Sequence, residues 1–221
     1  KLEKIENFSI EATKIILLLK IIYRKNTGNI IKIIQSLIDS LIDKNGYHKS
    51  NNPSYQAEFI NHLHEIKNIC LFFDIQVPDQ IDYQIHNMSS AFNNMFHKDN
   101  SIALFNGSNN SNYLQFIEIN NQIQDLKPKK LDNIISGISI YNDKEKKIFF
   151  DVVQPTNRQI NQNLHAGTLS FEMSCLDEKI ITNCGSIEKR FGHKPRYLRY
   201  SAAHSTIILN NTNISELVEK K

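Results

Sequence analysis

Apolar residues recur at intervals of three and four through the first hundred positions. Ile5, Ala12, Ile15, Ile16, Leu19, Ile22 and Tyr23 predict one helix over 5–24. Ile30, Ile33, Ile34, Leu37, Ile38, Leu41 and Ile42 form a broader stripe and predict a second over 29–43. Lys44-Asn45-Gly46 stops it, with Gly46 suited to a left-handed cap. After a polar loop, Asn52 reads as an N-cap with Pro53 at the first helical position. A third helix then runs over 54–73, with Tyr55, Phe59, Leu63, Ile66, Ile69 and Phe73 toward one side. Val77-Pro78-Asp79 separates it from a fourth over 81–96, with Ile85, Met88, Phe92, Met95 and Phe96 inward. Connections this short make antiparallel helical hairpins.

The period then changes. Residues 97–112 are polar apart from Ile102-Ala103-Leu104-Phe105, and a helix over 113–125 leads to Lys127-Pro128-Lys129-Lys130. Beyond that boundary the alternation is that of strands, at 137–141, 147–153, 168–173, 179–183 and 205–209. Helices confined to one half and strands to the other give an α+β chain, with a helical domain at 1–127 and a strand domain at 128–221. A sandwich of two sheets needs more strands than this, and the chain opens on Lys1, so the expectation is a piece of a longer protein.

Composition narrows the class without naming an activity. The chain has 221 residues, 40% hydrophobic and 22% charged, which is ordinary globular material. A net charge of +3 is too small to imply nucleic-acid binding. The run Ile15–Leu19 is broken by Lys14 and Lys20 and falls short of the ~20 apolar residues of a membrane span. No signal peptide is visible. Cys70, Cys175 and Cys184 show no paired spacing, against a disulfide framework. His62 and His64, at i and i+2 on a helix, point apart and cannot share an ion. Lys189, Arg190, His193, Lys194, Arg196 and Arg199 form a basic stretch that reads equally as a solvated loop or a patch for an anionic sugar chain. Only Phe191 and Tyr197 are interleaved with it, which disfavours stacking on nucleic acid.

Three segments carry a more specific signal: His165-Ala166-Gly167-Thr168-Leu169-Ser170-Phe171-Glu172-Met173, Ile181-Thr182-Asn183-Cys184-Gly185, and Arg199-Tyr200-Ser201-Ala202-Ala203-His204-Ser205-Thr206. In this order they resemble the C-terminal part of the heparinase II/III-like polysaccharide lyases. The likeness extends to Ile102–Gly107 and the helices before it. It implies an α/α toroid of helical hairpins joined to an antiparallel β-sandwich, incomplete here, and β-elimination on a uronate-containing acidic polysaccharide. It also implies a periplasmic or cell-envelope setting and a structural zinc in the β-domain. The reaction needs the substrate carboxylate neutralised, a base for the C5 proton and an acid for the leaving oxygen.

Carried over by position, the resemblance makes His165 and His204 metal ligands. Asn183 stands where many members have an Asp, and a neutral amide is a poorer zinc ligand than a carboxylate. Tyr55 matches the base/acid tyrosine, with His48 as its partner and Asn163 where many members have a catalytic His. Asn7, Asn52 and Arg199 are the substrate-binding positions, Asn7 preceding Phe8 where members carry an Asn-His pair. Read alone, Tyr55 is a core aromatic opening a helix, and each His is a hydrogen-bonded residue fixing a loop. The departures at Asn163, Phe8 and Asn183 keep open a second reading, a non-catalytic relative that binds acidic glycans.

Overall fold

Asn52 starts the longest helix. Its Oδ1 accepts from the Ser54 and Tyr55 N–H groups at 2.8 and 3.2 Å, and Pro53 occupies the first turn as the sequence predicts. The computed structural model describes residues 9–109, 134–135, 137–154, 164–186 and 196–217. Within them lie four helices: α1 (Ile10–Ile22), α2 (Gly28–Leu41), α3 (Pro53–Phe72) and α4 (Asp79–Phe92). Five strands follow: β1 (Ile134–Ile135), β2 (Ile138–Asn142), β3 (Lys146–Asp151), β4 (Phe171–Cys175) and β5 (Glu178–Ile181). They form one antiparallel sheet in chain order. The helix expected over 113–125 and the Lys127–Lys130 boundary lie outside the described residues.

The α+β class and all four leading helices agree with the sequence, with four corrections. Helix α1 buries Ile10, Thr13 and Leu17, leaving Ile15 51% and Ile22 61% exposed. A segment apolar nearly all round gives periodicity no single face to select. Gly46 does not cap α2, which ends at Leu41 with Ile42 already extended. It lies in the following loop at φ +88°, where a Cβ would stand 2.5 Å from the Asn87 carbonyl oxygen, so the close approach of α4 demands glycine. Helix α4 stops at Phe92 and a 3-10 turn at Asn93–Met95 follows, because Phe96 and Ile102 form a bridge and the Ala103 N–H donates to the Met95 carbonyl. Residues 205–209 form no strand. Ser205 N donates to Asn183 Oδ1 and Thr206 Oγ1 to the Thr168 carbonyl, and Asn210 and Asn211 turn left-handed. Side chains take the bonds that a ladder would have used.

One core spans both halves. Ile34, Ile38, Ile60, Leu63, Ile66, Met88 and Phe92 fill the helical part, and Phe105, Ile138 and Phe149 continue it onto the sheet. The sheet face toward this core is unusually polar. Alternation along β3 buries Lys147, Phe149 and Asp151, and along β4 it buries Glu172 and Ser174.

Glu172 is the centre of that face, with its side chain wholly buried. Oε2 accepts from His97 Nε2 at 2.8 Å and the Leu104 N–H at 3.1 Å, with Lys179 Nζ 3.6 Å away. Oε1 accepts from the Asn183 N–H at 2.8 Å and Thr182 Oγ1 at 3.2 Å. Burial alone would push this carboxyl up. The His97 hydrogen bond, the neighbouring Lys179 and the Asn183 N–H outweigh it and hold the group below the usual carboxylate range. Burial conversely pushes His97 down, beyond what Glu172 returns, so the pair is a carboxylate and a neutral imidazole. Lys147 Nζ donates to the Phe96 carbonyl, Lys179 Nζ to the Ile102 carbonyl, and Ser174 Oγ accepts from the Lys98 N–H. Strands and helices are thus joined by polar bonds onto one segment, residues 96–104.

Two stability predictions follow with opposite pH signs. Glu172→Gln removes the charge and leaves Lys179 and four hydrogen-bond donors facing a weaker acceptor, a loss of about 3–5 kcal/mol expected from urea unfolding at pH 7. Since the Glu172 pKa is depressed, the difference is complete above the ordinary carboxylate range and shrinks as pH falls through the folded value. Asp151 behaves in reverse. Burial pushes its carboxyl up to about 7, against the Val153 N–H that Oδ1 accepts. Its ionisation therefore costs nothing below the unfolded pKa, weakens the fold as pH rises from there to about 7, and adds no further loss above that. Asp151→Asn keeps the acceptor and removes the charge. It should match the parent at pH 4 and exceed it by on the order of 3 kcal/mol at pH 8, read from the same unfolding curves.

Candidate functional site

The sequence-predicted residues fall into two groups. The first stands at the start of α3. Tyr55 is 36% exposed there, and its ring stacks at 6.2 Å on the half-buried ring of His48. His48 is fixed by its neighbours: its N–H donates to Gln56 Oε1 at 2.6 Å, and its Nδ1 accepts from the Ser50 N–H at 3.1 Å. That acceptor role puts the ring proton on Nε2. Burial, with Lys49 beside it, pushes His48 down to about 4, so the ring is neutral at neutral pH. Burial and Glu58 both push the Tyr55 phenol up. The nearby cation that would help this tyrosine ionise is therefore not supplied by His48.

Asn52 is spent on the framework. While its oxygen caps α3, its Nδ2 donates to the Asn106 carbonyl at 3.0 Å, and Asn106 Nδ2 returns a bond to the Asn51 carbonyl. Asn7 and Asn163 lie outside the described residues.

The second group lies beside the sheet. His165 Nδ1 and His204 Nε2 come within 3.2 Å, although 39 residues separate them. Burial pushes His204 down, against a bond to the Leu198 backbone and the charge of Glu172. Asn183 is 2% exposed, and its Oδ1 accepts from the N–H of Ser205, next to His204. Among the described residues, the buried Asn183 Nδ2 has no hydrogen-bond partner. Arg199 turns its guanidinium onto the Leu164 carbonyl, with Nη2 at 3.0 Å and Nε at 3.3 Å. Cys184, adjacent to Asn183, is exposed.

A chain of hydrogen bonds ties the two groups together. Ser54 Oγ, beside Tyr55, meets Ser108 Oγ at 2.9 Å, and the Ser108 carbonyl accepts from the Ser186 N–H at 2.8 Å. Two residues back, the Cys184 N–H donates to the Ala203 carbonyl beside His204. Gly185 makes the close approach possible: at φ +65°, any Cβ would stand 2.8 Å from the Ser108 carbonyl oxygen.

Glu172 and His97 are the residues that sequence reasoning left without a role. A signal was present, since strict alternation through Ser170-Phe171-Glu172-Met173 sends Glu172 to the face opposite two apolar neighbours. A carboxylate aimed at a core calls for a partner. His97, 75 residues away, had no local mark to identify it as that partner.

The helical-then-strand order and these paired segments have counterparts among known proteins. Residues 132–221 match the family model of the heparinase II/III-like C-terminal domain. A crystal structure of heparinase III superposes with a TM-score of 0.70 at 12% identity, covering 92% of this chain and 39% of that one. Heparan sulfate lyase HepC from Pedobacter heparinus gives 0.62 at 16%, covering 92% and 37%. At such identities the structural likeness is one of fold, and the chain spans well under half the length of either structure. No curated protein matches the sequence. Residues 132–221 are thus similar to the heparinase II/III-like C-terminal domain, and the chain shares the fold of the heparinase III structures.

Proposed function

We propose that the chain forms part of a polysaccharide lyase that cleaves a uronate-containing acidic polysaccharide by β-elimination, in the periplasm or cell envelope. The observation that carries the reading is the bonded path from Tyr55 on α3 to His204 beside the sheet, within a heparinase II/III-like fold. A toroid of helical hairpins, of which α1–α4 are a part, and a two-layered sandwich built on the sheet are the architecture this reading implies.

Tyr55 is the base and then the acid. As phenolate it takes the C5 proton; the C4–O4 bond breaks as the C4–C5 double bond forms, and the phenol returns the proton to the leaving oxygen. His48, neutral with its proton on Nε2, enters as a donor toward the substrate carboxylate. Asn7 and Asn163 are proposed as further amide donors to it. Asn52 keeps its cap and thereby fixes the turn that presents Tyr55.

His165 and His204 are suited to zinc. Tetrahedral ligands at ~2.1 Å place two nitrogens about 3.4 Å apart, close to their observed 3.2 Å. The Asn183 oxygen would be a weaker third ligand, already accepting from Ser205. Among the described residues, no group of three His, Cys, Asp or Glu side chains could hold a metal. Bound there, zinc would act structurally, clamping the segments that carry the two histidines.

The lyase reading is checked by the ultraviolet absorbance of the unsaturated product when the full-length protein meets uronate polymers. Because the phenol pKa is raised, turnover should climb with pH through the alkaline range, and Tyr55→Phe should lower it by at least about 100-fold. Absent product from the parent protein, with retained binding to an immobilised acidic glycan, would establish the non-catalytic alternative that the departure at Asn183 favours. For the metal, zinc content of the purified protein should fall to background in the double variant His165→Ala, His204→Ala. Unchanged zinc content would remove the metal from the site.

A further inference from the structure

We propose that Arg199 is a positioning residue: together with Ser201 it grips the peptide groups on both sides of His165 and sets that imidazole against His204. The guanidinium donates through Nη2 and Nε to the Leu164 carbonyl, at 3.0 and 3.3 Å. The Arg199 carbonyl accepts from the Ala166 N–H at 2.8 Å, and Ser201 Oγ donates to the Ala166 carbonyl at 2.7 Å. Three backbone groups flanking His165 are therefore satisfied by two residues of one short segment, and that segment ends in His204.

The segment is itself held. Ser201 N–H donates to Asn213 Oδ1, and Ser201 Oγ accepts from the Ile214 N–H, both at 2.9 Å. On the far side, Gly167 has room for no side chain without crowding, since a Cβ would lie 3.3 Å from the His204 ring. With its backbone fixed on each side, His165 retains only side-chain rotation, and the 3.2 Å approach to His204 follows from main-chain bonding. Two donors of one planar fork on a single carbonyl are something arginine supplies and lysine does not. A guanidinium committed in this way is an anchor for the loop.

The role does not depend on what the protein cleaves, so its test avoids turnover. In protein held metal-free with a chelator, the imidazole proton shared by His165 and His204 should be a slowly exchanging signal in proton–nitrogen NMR. The His97 proton donated to Glu172 is an internal marker of the intact fold. Arg199→Ala should speed exchange of the first proton by about tenfold or more while leaving the marker in place. Retention of both signals would overturn the proposal. Should the alanine variant lose both, Arg199→Lys decides. It keeps the charge and one donor, and loss of the shared proton alone supports positioning. Retention of the shared proton, or loss of both signals again, shows that Arg199 serves only the fold as a whole.

Discussion

A carboxylate sealed from water has to be met by donors on every side, and that requirement at Glu172 organises this molecule. Its two oxygens draw together the 96–104 segment that leaves the helices, the strand that carries Glu172, and the residues after β5. A hydrophobic joint could slide by a fraction of a residue at small cost. A buried anion with directed partners cannot, because each lost donor leaves a charge uncompensated in a medium of low dielectric. The helices and sheet are consequently locked in register as well as in contact. Asn183 receives its place from the same group, since its N–H is one of the four hydrogen-bond donors.

The polar character of the inner face has a further consequence. Lys147, pushed down to about 8 by burial and by Lys98, and Asp151, pushed up to about 7 by burial, lie two pleats apart on β3 with Phe149 between them. Both charges are weakened by their surroundings, whereas Glu172 is strengthened by its own. The difference is one of partners rather than of depth: Asp151 has the Val153 N–H, and Lys147 has a carbonyl oxygen and the face of Phe149. The sheet face thus combines one secured charge with two that are tolerated. A one-residue slip of β3 against β4 would send all of them to the opposite side and bring Phe150 inward.

The helices were legible where apolar positions are sparse enough to define a face. In α2 the stripe selects Ile30, Ile34, Leu37 and Ile38, and these are buried. In α3 the Asn-Pro start could be read from local chemistry alone. Helix α1 resisted because isoleucine and leucine surround it, so that its buried side is decided by which neighbours are present. The 205–209 segment carries β-branched residues typical of a strand, yet serine and threonine hydroxyls tie it down to the Thr182 and Thr168 carbonyls. The proximity of His165 and His204 came from matched motifs. The hydrogen bonds that produce it were invisible, because they run through carbonyls and N–H groups that every residue possesses.

That last point bears on how such a site can diverge. The histidine pair is held by backbone groups of Leu164 and Ala166 and by framework side chains, so the identity of the residue at 183 can change without collapsing the geometry around it. Asn183 still accepts from Ser205 and still donates its N–H to Glu172, as an aspartate there could. The amide carries no charge, and its buried NH2 is without an acceptor among the described residues. Tyr55 shows the same separation of placement from chemistry. The Asn52 cap and the Ser54–Ser108 bond fix where the phenol stands, while burial and Glu58 set how reluctantly it ionises. Position in this molecule is secured by the main chain and its caps, and reactivity is left to a few surrounding charges that can be exchanged one at a time.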